Sequence, residues 1–453
     1  MKQMKLFSML LVCFVLLISA CSGGNNVQTN ESVTKTEAVT PTEEVKTEPE
    51  PQPEEVVDLG GRVIKMSAWW DLTPAGTTAS DKARLAKIAE LEKKYNMKIE
   101  FVNVPFGEYM DKFTTTVLAG EPFADIVLLE YKSALPAALK GQLLELSEFT
   151  KPESNINNEM NLVVKSASLA GKEYAFDNPT TLAVGVHYNR DIFKKLGLPD
   201  LQELYSKGEW NWEKFIEVAK LATKDTDNNG KIDTYGFSGW AAQVGRILVA
   251  ANGAKVADDS TSKEGLSDPR TIEAMEFLNH IYNVENVAKI KTGDKVNWEE
   301  TDTFKDGDVA MFIASEWQMP DLTFDVGIVP IPNGPQGTAE VTYANTAAAS
   351  RFIPKGVKDP EIVYQIFEEM QDVPQLEEYP GQDYLESLYG HEEDIQMIRD
   401  HIYGTGIIVL DEAYPEYPFN SFVEDVIKNN ASVTATAEKY KQQAQASIDK
   451  LGK

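Results

Sequence analysis

Cysteine is nearly absent: the 453 residues hold two, Cys13 and Cys21, both within the first 21 positions. Neither a disulfide framework nor a cysteine-ligated metal can therefore organise the rest of the chain. Histidine is scarce as well. The four, His187, His280, His391 and His401, show no HExxH pattern or other paired-ligand spacing, which argues against a histidine-held catalytic metal. Basic residues are in deficit, 43 Lys plus Arg against 71 Asp plus Glu, and the net charge of −28 repels phosphate backbones, so no nucleic-acid partner is expected. No G-x-S-x-G elbow, P-loop or G-x-G-x-x-G after a strand occurs. With 71 acids, carboxylate pairs at glycosidase separation arise by chance and do not indicate an enzyme. No internal repeat of the kind that builds solenoids is visible.

What is present reads as a soluble globular protein of at least two domains, since 42% of residues are apolar, 25% are charged and the length exceeds what one core organises. Residues 1–20 carry Lys2 and Lys5, an apolar run from Leu6 to Ile18, then Ser19 and Ala20, the layout of a secretory signal peptide. The run is too short for a stable membrane span. The sequence Ile18-Ser19-Ala20-Cys21 resembles a bacterial lipobox, which makes Cys21 the expected lipidated N-terminus of the mature protein; plain secretion is the alternative. Residues 21–57 contain no aromatic side chain and end in Glu48-Pro49-Glu50-Pro51-Gln52-Pro53-Glu54-Glu55, so they cannot bury a core. They are expected to act as a semi-rigid tether reaching about 30–36 Å.

From about Asp58 the periodicities alternate. Arg62 to Trp69 reads as a strand, Asp81 to Tyr95 as a helix with Ser80 as its cap, Lys98 to Val102 as a strand, Glu108 to Leu118 as a helix and Ala124 to Leu129 as a continuously apolar strand. That order implies an α/β fold with a mostly parallel sheet covered on both faces. Further helices are expected over Asn211–Thr223, from Asp268-Pro269 to Tyr282, within Thr303–Trp317, over Glu361–Met370 and over Ala431–Leu451. Phe324 to Pro330 reads as a strand, followed by a Pro/Gly-rich loop.

Five fragments, in order, carry a family resemblance. Gly171-Lys172-Glu173-Tyr174-Ala175-Phe176, His187-Tyr188-Asn189-Arg190-Asp191-Ile192-Phe193, Glu209-Trp210-Asn211-Trp212, Phe304-Lys305-Asp306-Gly307-Asp308-Val309-Ala310-Met311 and Val326-Gly327-Ile328-Val329-Pro330 resemble signature elements of family 1 extracellular solute-binding proteins, the carbohydrate-type receptors of ABC importers related to maltose-binding protein. The resemblance implies a two-lobed, type II periplasmic-binding-protein-like fold, with lobes at 58–182 plus 345–400 and at 183–344 plus 401–453. It further implies a ligand cleft between hinged lobes, no catalysis, a monomer, and delivery of a sugar or oligosaccharide to a permease of the membrane. The same fold bound to a peptide, polyamine or metal chelate is the alternative, and a surface glycan-active enzyme a more distant one.

Two constellations bear on binding. Asp225-Thr226-Asp227-Asn228-Asn229-Gly230-Lys231-Ile232-Asp233 reproduces most of a calcium loop, with side-chain oxygens from Asp225, Asp227, Asn229 and Asp233 and the carbonyl of Lys231. The twelfth position is Gly236 rather than Glu, and a polar turn is the competing reading. A sugar site needs flat aromatic platforms plus polar side chains for the hydroxyl rim. Trp69, Trp70 and Asp71 follow the first strand, and Glu130 and Tyr131 follow the third, where open α/β sheets place ligands. Trp240 and Trp317 correspond by motif position to sugar-stacking aromatics of the family, and Tyr343 and Asn345 lie near an expected crossing between lobes. Trp210, Trp212 and Trp298 are expected to pack internally.

Overall fold

The computed structural model describes residues 57–147, 172–176, 183–258, 260–319, 321–374, 376–379 and 381–451. The expected signal peptide, the tether and Cys21 lie outside them. Two main sheets result. The first joins β1 (Arg62–Ala68), β2 (Met97–Asn103), β3 (Ile126–Glu130), β4 (Ala175–Phe176) and β12 (Ala349–Phe352) in the order β2-β1-β3-β12-β4. The second joins β5 (Val184–Asn189), β6 (Tyr235–Ser238), β9 (Val309–Ser315) and β10 (Val326–Val329) in the order β10-β5-β9-β6.

The sheets are mixed rather than mostly parallel. β1 pairs in parallel with β2 and β3, and β6 with β9, whereas β12 runs antiparallel to β3 and β4, and β5 antiparallel to β9 and β10. The antiparallel members are those next to the crossings: β5 begins where the chain enters the second sheet, and β12 begins where it returns to the first. Two small pairs complete the strands, β7 (Ala257–Asp258) with β8 (Lys263–Glu264), and β11 (Tyr343–Asn345) with β13 (Gly406–Ile408) beside the return crossing. Gly406 is required there, because a Cβ would sit 2.4 Å from the Tyr343 ring.

Most expected helices form. The first spans Ala79–Lys94, and its cap is Thr78, whose side chain accepts from the Asp81 amide, rather than Ser80. Asp268 and Pro269 open the Pro269–Asn279 helix as their residue types dictate. The stretch Thr303–Trp317 is the exception. A 3-10 helix covers Trp298–Asp306, and Val309–Ser315 is a fully buried strand paired on both sides. A short, continuously apolar run fits a buried strand and a buried helix equally well, and partners on β5 and β6 decide for the strand.

Side chains around Val186, Phe237, Phe312 and Ile328 form the second lobe's core, while Ile64, Leu91 and Ile126, with Val127, Phe113 and Tyr131, form the first lobe's. The Pro360–Met370 helix supplies Val363, Ile366 and Phe367 to the first lobe. From Tyr379 onward the chain packs with the second lobe through Leu385, Tyr389, Ile395 and Ile398. This packing involves residues before position 400. Asp394 secures it: this carboxylate accepts from Arg190 Nη2 at 2.9 and 3.0 Å, from Gln202 Nε2 at 2.6 Å and from the Ile328 amide at 3.0 Å.

Candidate functional site

In each sheet the register sets strand ends beside the connections between the sheets. In the first sheet β3 ends at Glu130 opposite Ala349, the first residue of β12, and β4 ends at Phe176 just before the chain crosses. In the second sheet Val184, the first residue of β5, pairs with Ser315, the last of β9. In each sheet the C-terminal strand ends, β1 and β3 in the first and β6 and β9 in the second, thus lie toward the connections between the sheets, the location at which α/β sheets hold ligands.

On the first edge, Trp69 stands edge-on to three rings, Trp70 at 5.2 Å, Phe106 at 5.5 Å and Tyr109 at 5.7 Å between centroids. Packing anchors Trp69 and leaves Trp70 and Phe106 exposed at 44% and 59%. Phe106 opens the Phe106–Leu118 helix just after β2 and was not anticipated; an aromatic directly after a strand is the same signal that marks Trp69 and Trp70. Asp71 is exposed, and its carboxylate is held below the usual range by the Thr73 amide 2.9 Å away. Tyr131 instead turns into the core, buried edge-on against Phe352 at 6.1 Å, with its amide donating to the Ala348 carbonyl.

Glu130 is buried, and burial raises its pKa despite Lys132 Nζ 3.2 Å away. Lys132 also binds Glu412 at 3.0 Å, and Glu412 lies 3.7 Å from Arg246. Burial works against the Lys132 ammonium, but the carboxylates of Glu130 and Glu412 outweigh it and hold its pKa above the ordinary value. Arg246 and Asp411 are themselves fully enclosed, the guanidinium donating to Asp411 at 2.7 to 3.2 Å and stacking over Phe419 at 4.5 Å. A chain of alternating charge therefore runs from the first lobe's sheet edge, through the Asp411–Ala413 turn, into the helix Ala241–Ala251 of the second.

On the second edge, Trp240 is half-buried at the end of β6, and its indole N–H donates to the Val296 carbonyl at 3.0 Å. Trp298, expected to pack, is 63% exposed two residues beyond Val296. Trp210 and Trp212 do pack: their indoles donate to the carbonyls of Pro330 and Pro332, and Trp212 stacks on Phe277 at 4.2 Å. Trp317 is 52% exposed in the Glu316–Gln318 turn that follows β9. A reciprocal capping box between Ser315 and Gln318 shapes that turn.

Glu316, also unanticipated, is 1% exposed, and its Oε2 has no hydrogen-bond partner. Burial pushes its pKa up to about 7 against the pull of its own amide and that of Ala183. Tyr343 is buried on β11, and Asn345, also buried, accepts from the Ala347 amide at 3.2 Å, shaping the crossing rather than standing open at it. A separate cavity of about 290 Å³, lined by Met319, Leu322, Phe324, Val326 and Leu388 with Asp321 and Asp325, contains none of these edge residues.

The Asp-rich loop is remote from both edges. Carboxylate oxygens of Asp225, Asp227 and Asp233 lie within 4.8 Å of one another. Amides of Asn229 and Gly230 donate to Asp225, and those of Thr226 and Asp227 to Asp233, which wraps the loop around its acids. Asn229 Oδ1 accepts from the Lys231 amide at 2.8 Å. The set is all oxygen, as a hard cation requires, with Lys231 able to offer only its carbonyl. Gly236 cannot be replaced by a ligand residue, since a Cβ would lie 2.1 Å from the Ala219 carbonyl.

Known proteins share this architecture. The chain is similar to Lipoprotein LipO of Bacillus subtilis (strain 168), 29% identical over 169 residues, which are 37% of this chain and 32% of that protein. It is similar to the arabinooligosaccharide-binding protein of the same strain, 22% identical over 287 residues, 61% of this chain and 63% of the other. The matches span less than two thirds of these curated relatives. The fold is that of the ABC substrate-binding protein Lmo0181 from Listeria monocytogenes in complex with cycloalternan, with a TM-score of 0.60, 18% identity and coverage of 86% of this chain and 99% of that one. A family model for bacterial extracellular solute-binding proteins matches residues 75–373, two thirds of the chain, and establishes that the chain belongs to the bacterial extracellular solute-binding protein family.

Proposed function

We propose that the protein is the carbohydrate receptor of an ABC importer, tethered outside the cell through a lipid on Cys21, and that it binds an oligosaccharide between its lobes without chemical change. The observation that carries this reading is the set of exposed rings on the two sheets' connections, Trp70 and Phe106 just after strands of the first, Trp317 just after β9 and Trp298 at the start of a 3-10 helix in the second. Such rings match the apolar C–H faces of sugars, and Asp71 at the same rim accepts hydroxyl hydrogen bonds. The similarity to an arabinooligosaccharide-binding protein supports a glycan over a peptide or polyamine.

The test is a thermal-shift panel of arabinooligosaccharides, maltooligosaccharides, mannobiose, peptides and polyamines, because a ligand bound only by the native state raises the melting temperature with concentration. A shift with one glycan class is expected, and Trp317→Ala and Trp240→Ala should each weaken that binding by about 1–3 kcal/mol. A response to peptide alone, or release of reducing ends from the glycans, refutes the reading. A calcium ion in the 225–233 loop is part of the same proposal, with a structural role. Asp227→Ala together with Asp233→Ala should abolish a chelator-sensitive part of the melting temperature, and a wild type indifferent to chelator makes the loop a turn only.

A further inference from the structure

The Glu316–Gln318 turn holds two side chains in opposite settings: Trp317 stands half in solvent, and Glu316 is enclosed. The Glu316 carboxyl lies where the lobes connect. Its backbone N–H donates to the carbonyl of Ala183 at the first crossing, and its neighbours include Tyr343 on β11, beside the return crossing. Tyr384, Tyr389 and Tyr403, from the chain's last passage over the second lobe, lie close enough for the Glu316 charge to raise their pKa values, Tyr384 from a partly exposed position. Among the described residues no cation pairs with Glu316, and its Oε2 accepts nothing. A carboxylate cannot rest in such a place without water or a counter-ion, whereas a neutral carboxyl can.

We propose that Glu316 is a positioning residue for Trp317: the protonated carboxyl seated among the tyrosines holds the turn, and with it the indole, at the cleft rim, and ionisation drives the turn outward. The groups facing the carboxyl leave it as the one that changes charge near neutrality. Its pKa is pushed to about 7, while burial raises Tyr384 to about 12 and lifts Tyr343, Tyr389 and Tyr403 higher still. His187, joined to Tyr389 at 2.9 Å, is held neutral by complete burial, its pKa lowered to about 3. Because Trp317 is taken as a platform for the solute, the consequence for binding rests on the function proposed above. The positioning itself does not.

Tryptophan emission of the solute-free protein, titrated from pH 5 to 9, tests it. Wild type should show a one-proton transition near 7, Glu316→Gln should keep the acid-side spectrum throughout, and Trp317→Phe should remove the transition. A transition that survives in either variant, or a flat wild-type profile, overturns the proposal. Trp317 is half-exposed, so the Trp317→Phe arm decides even if Glu316→Gln fails to fold. Loss of glycan binding with an intact transition would refute the carbohydrate reading alone.

Discussion

Glu130 and Glu316 occupy matching places, one at the end of β3 and the other just past the end of β9, each buried at a C-terminal strand end of its sheet. Burial raises both. Their surroundings differ in one respect: Glu130 has Lys132, which extends through Glu412 toward Arg246, whereas among the described residues Glu316 has no cation, only tyrosines and the amides of Glu316 and Ala183. A paired carboxylate fastens segments that meet, and it does so across a wide range of pH. An unpaired one stores its cost in the charged state, so it responds to protons where the other does not.

The fastening side of this comparison breaks most severely at Arg246. Arg246→Met leaves Asp411 charged, enclosed and facing apolar surroundings, and should lower stability by about 3–5 kcal/mol in urea unfolding, with Arg246→Met/Asp411→Leu recovering much of the loss. Recovery distinguishes an uncompensated charge from lost packing against Phe419. The responsive side gives the next largest effect. The ordinary pKa of Glu316 is 4.5 and the folded value about 7, so its contribution to stability is complete below 4.5, falls as pH rises from 4.5 to 7 and is constant beyond. Integrated over that window the loss is on the order of 3 kcal/mol. The difference in unfolding free energy between wild type and Glu316→Gln should follow that curve, and a difference independent of pH contradicts it.

Local pattern accounts for what the sequence makes legible. Alternation marks β1 and β2, the Asp268-Pro269 pair starts its helix, and the spacing of Asp225, Asp227 and Asp233 anticipates their convergence, because neighbours along the chain determine all three. Long-range contacts account for the rest. The pairing of Arg246 with Asp411 joins residues 165 positions apart, and that of Arg190 with Asp394 joins residues 204 apart, so nothing local announces where the chain returns to the second lobe. β9, expected within a helix, is a strand for the same reason, since its partners on β5 and β6 are distant in sequence. Glu316 was legible only as an acid before a tryptophan; its isolation depends on tyrosines from three later segments. Phe106 carried the readable signal of an aromatic after a strand.

The Lys132 bridge distinguishes fastening by charge from fastening by packing. Lys132→Met keeps the stem and removes the ammonium, leaving Glu130 and Glu412 without their shared cation. The expected cost is about 1–3 kcal/mol at neutral pH, smaller than at Arg246 because solvent reaches part of this bridge. Protonating Glu130 relieves the penalty, so the variant should regain stability relative to wild type as pH falls toward 5, whereas Glu316→Gln, more stable than wild type at high pH, should lose that advantage. If Lys132→Met costs the same at pH 5 and 8, the bridge contributes packing and not charge.

The smallest effect lies on the exposed rim and concerns binding rather than folding. Phe106 is 59% exposed and touches Trp69 only edge-on, so Phe106→Ala should leave the melting temperature nearly unchanged. Its ring still offers a face beside Trp70, and removing it should weaken binding of the glycan selected by the thermal-shift panel by about 0.5–1.5 kcal/mol in titration calorimetry. Combining it with Trp317→Ala extends the comparison of the two edges to their aromatics. Rings on opposite edges that grip separate sugar units should give additive losses, whereas rings that sandwich one unit should give a combined loss that departs from the sum. Additivity therefore indicates a ligand long enough to reach both platforms, and a strong departure indicates a single residue held between them.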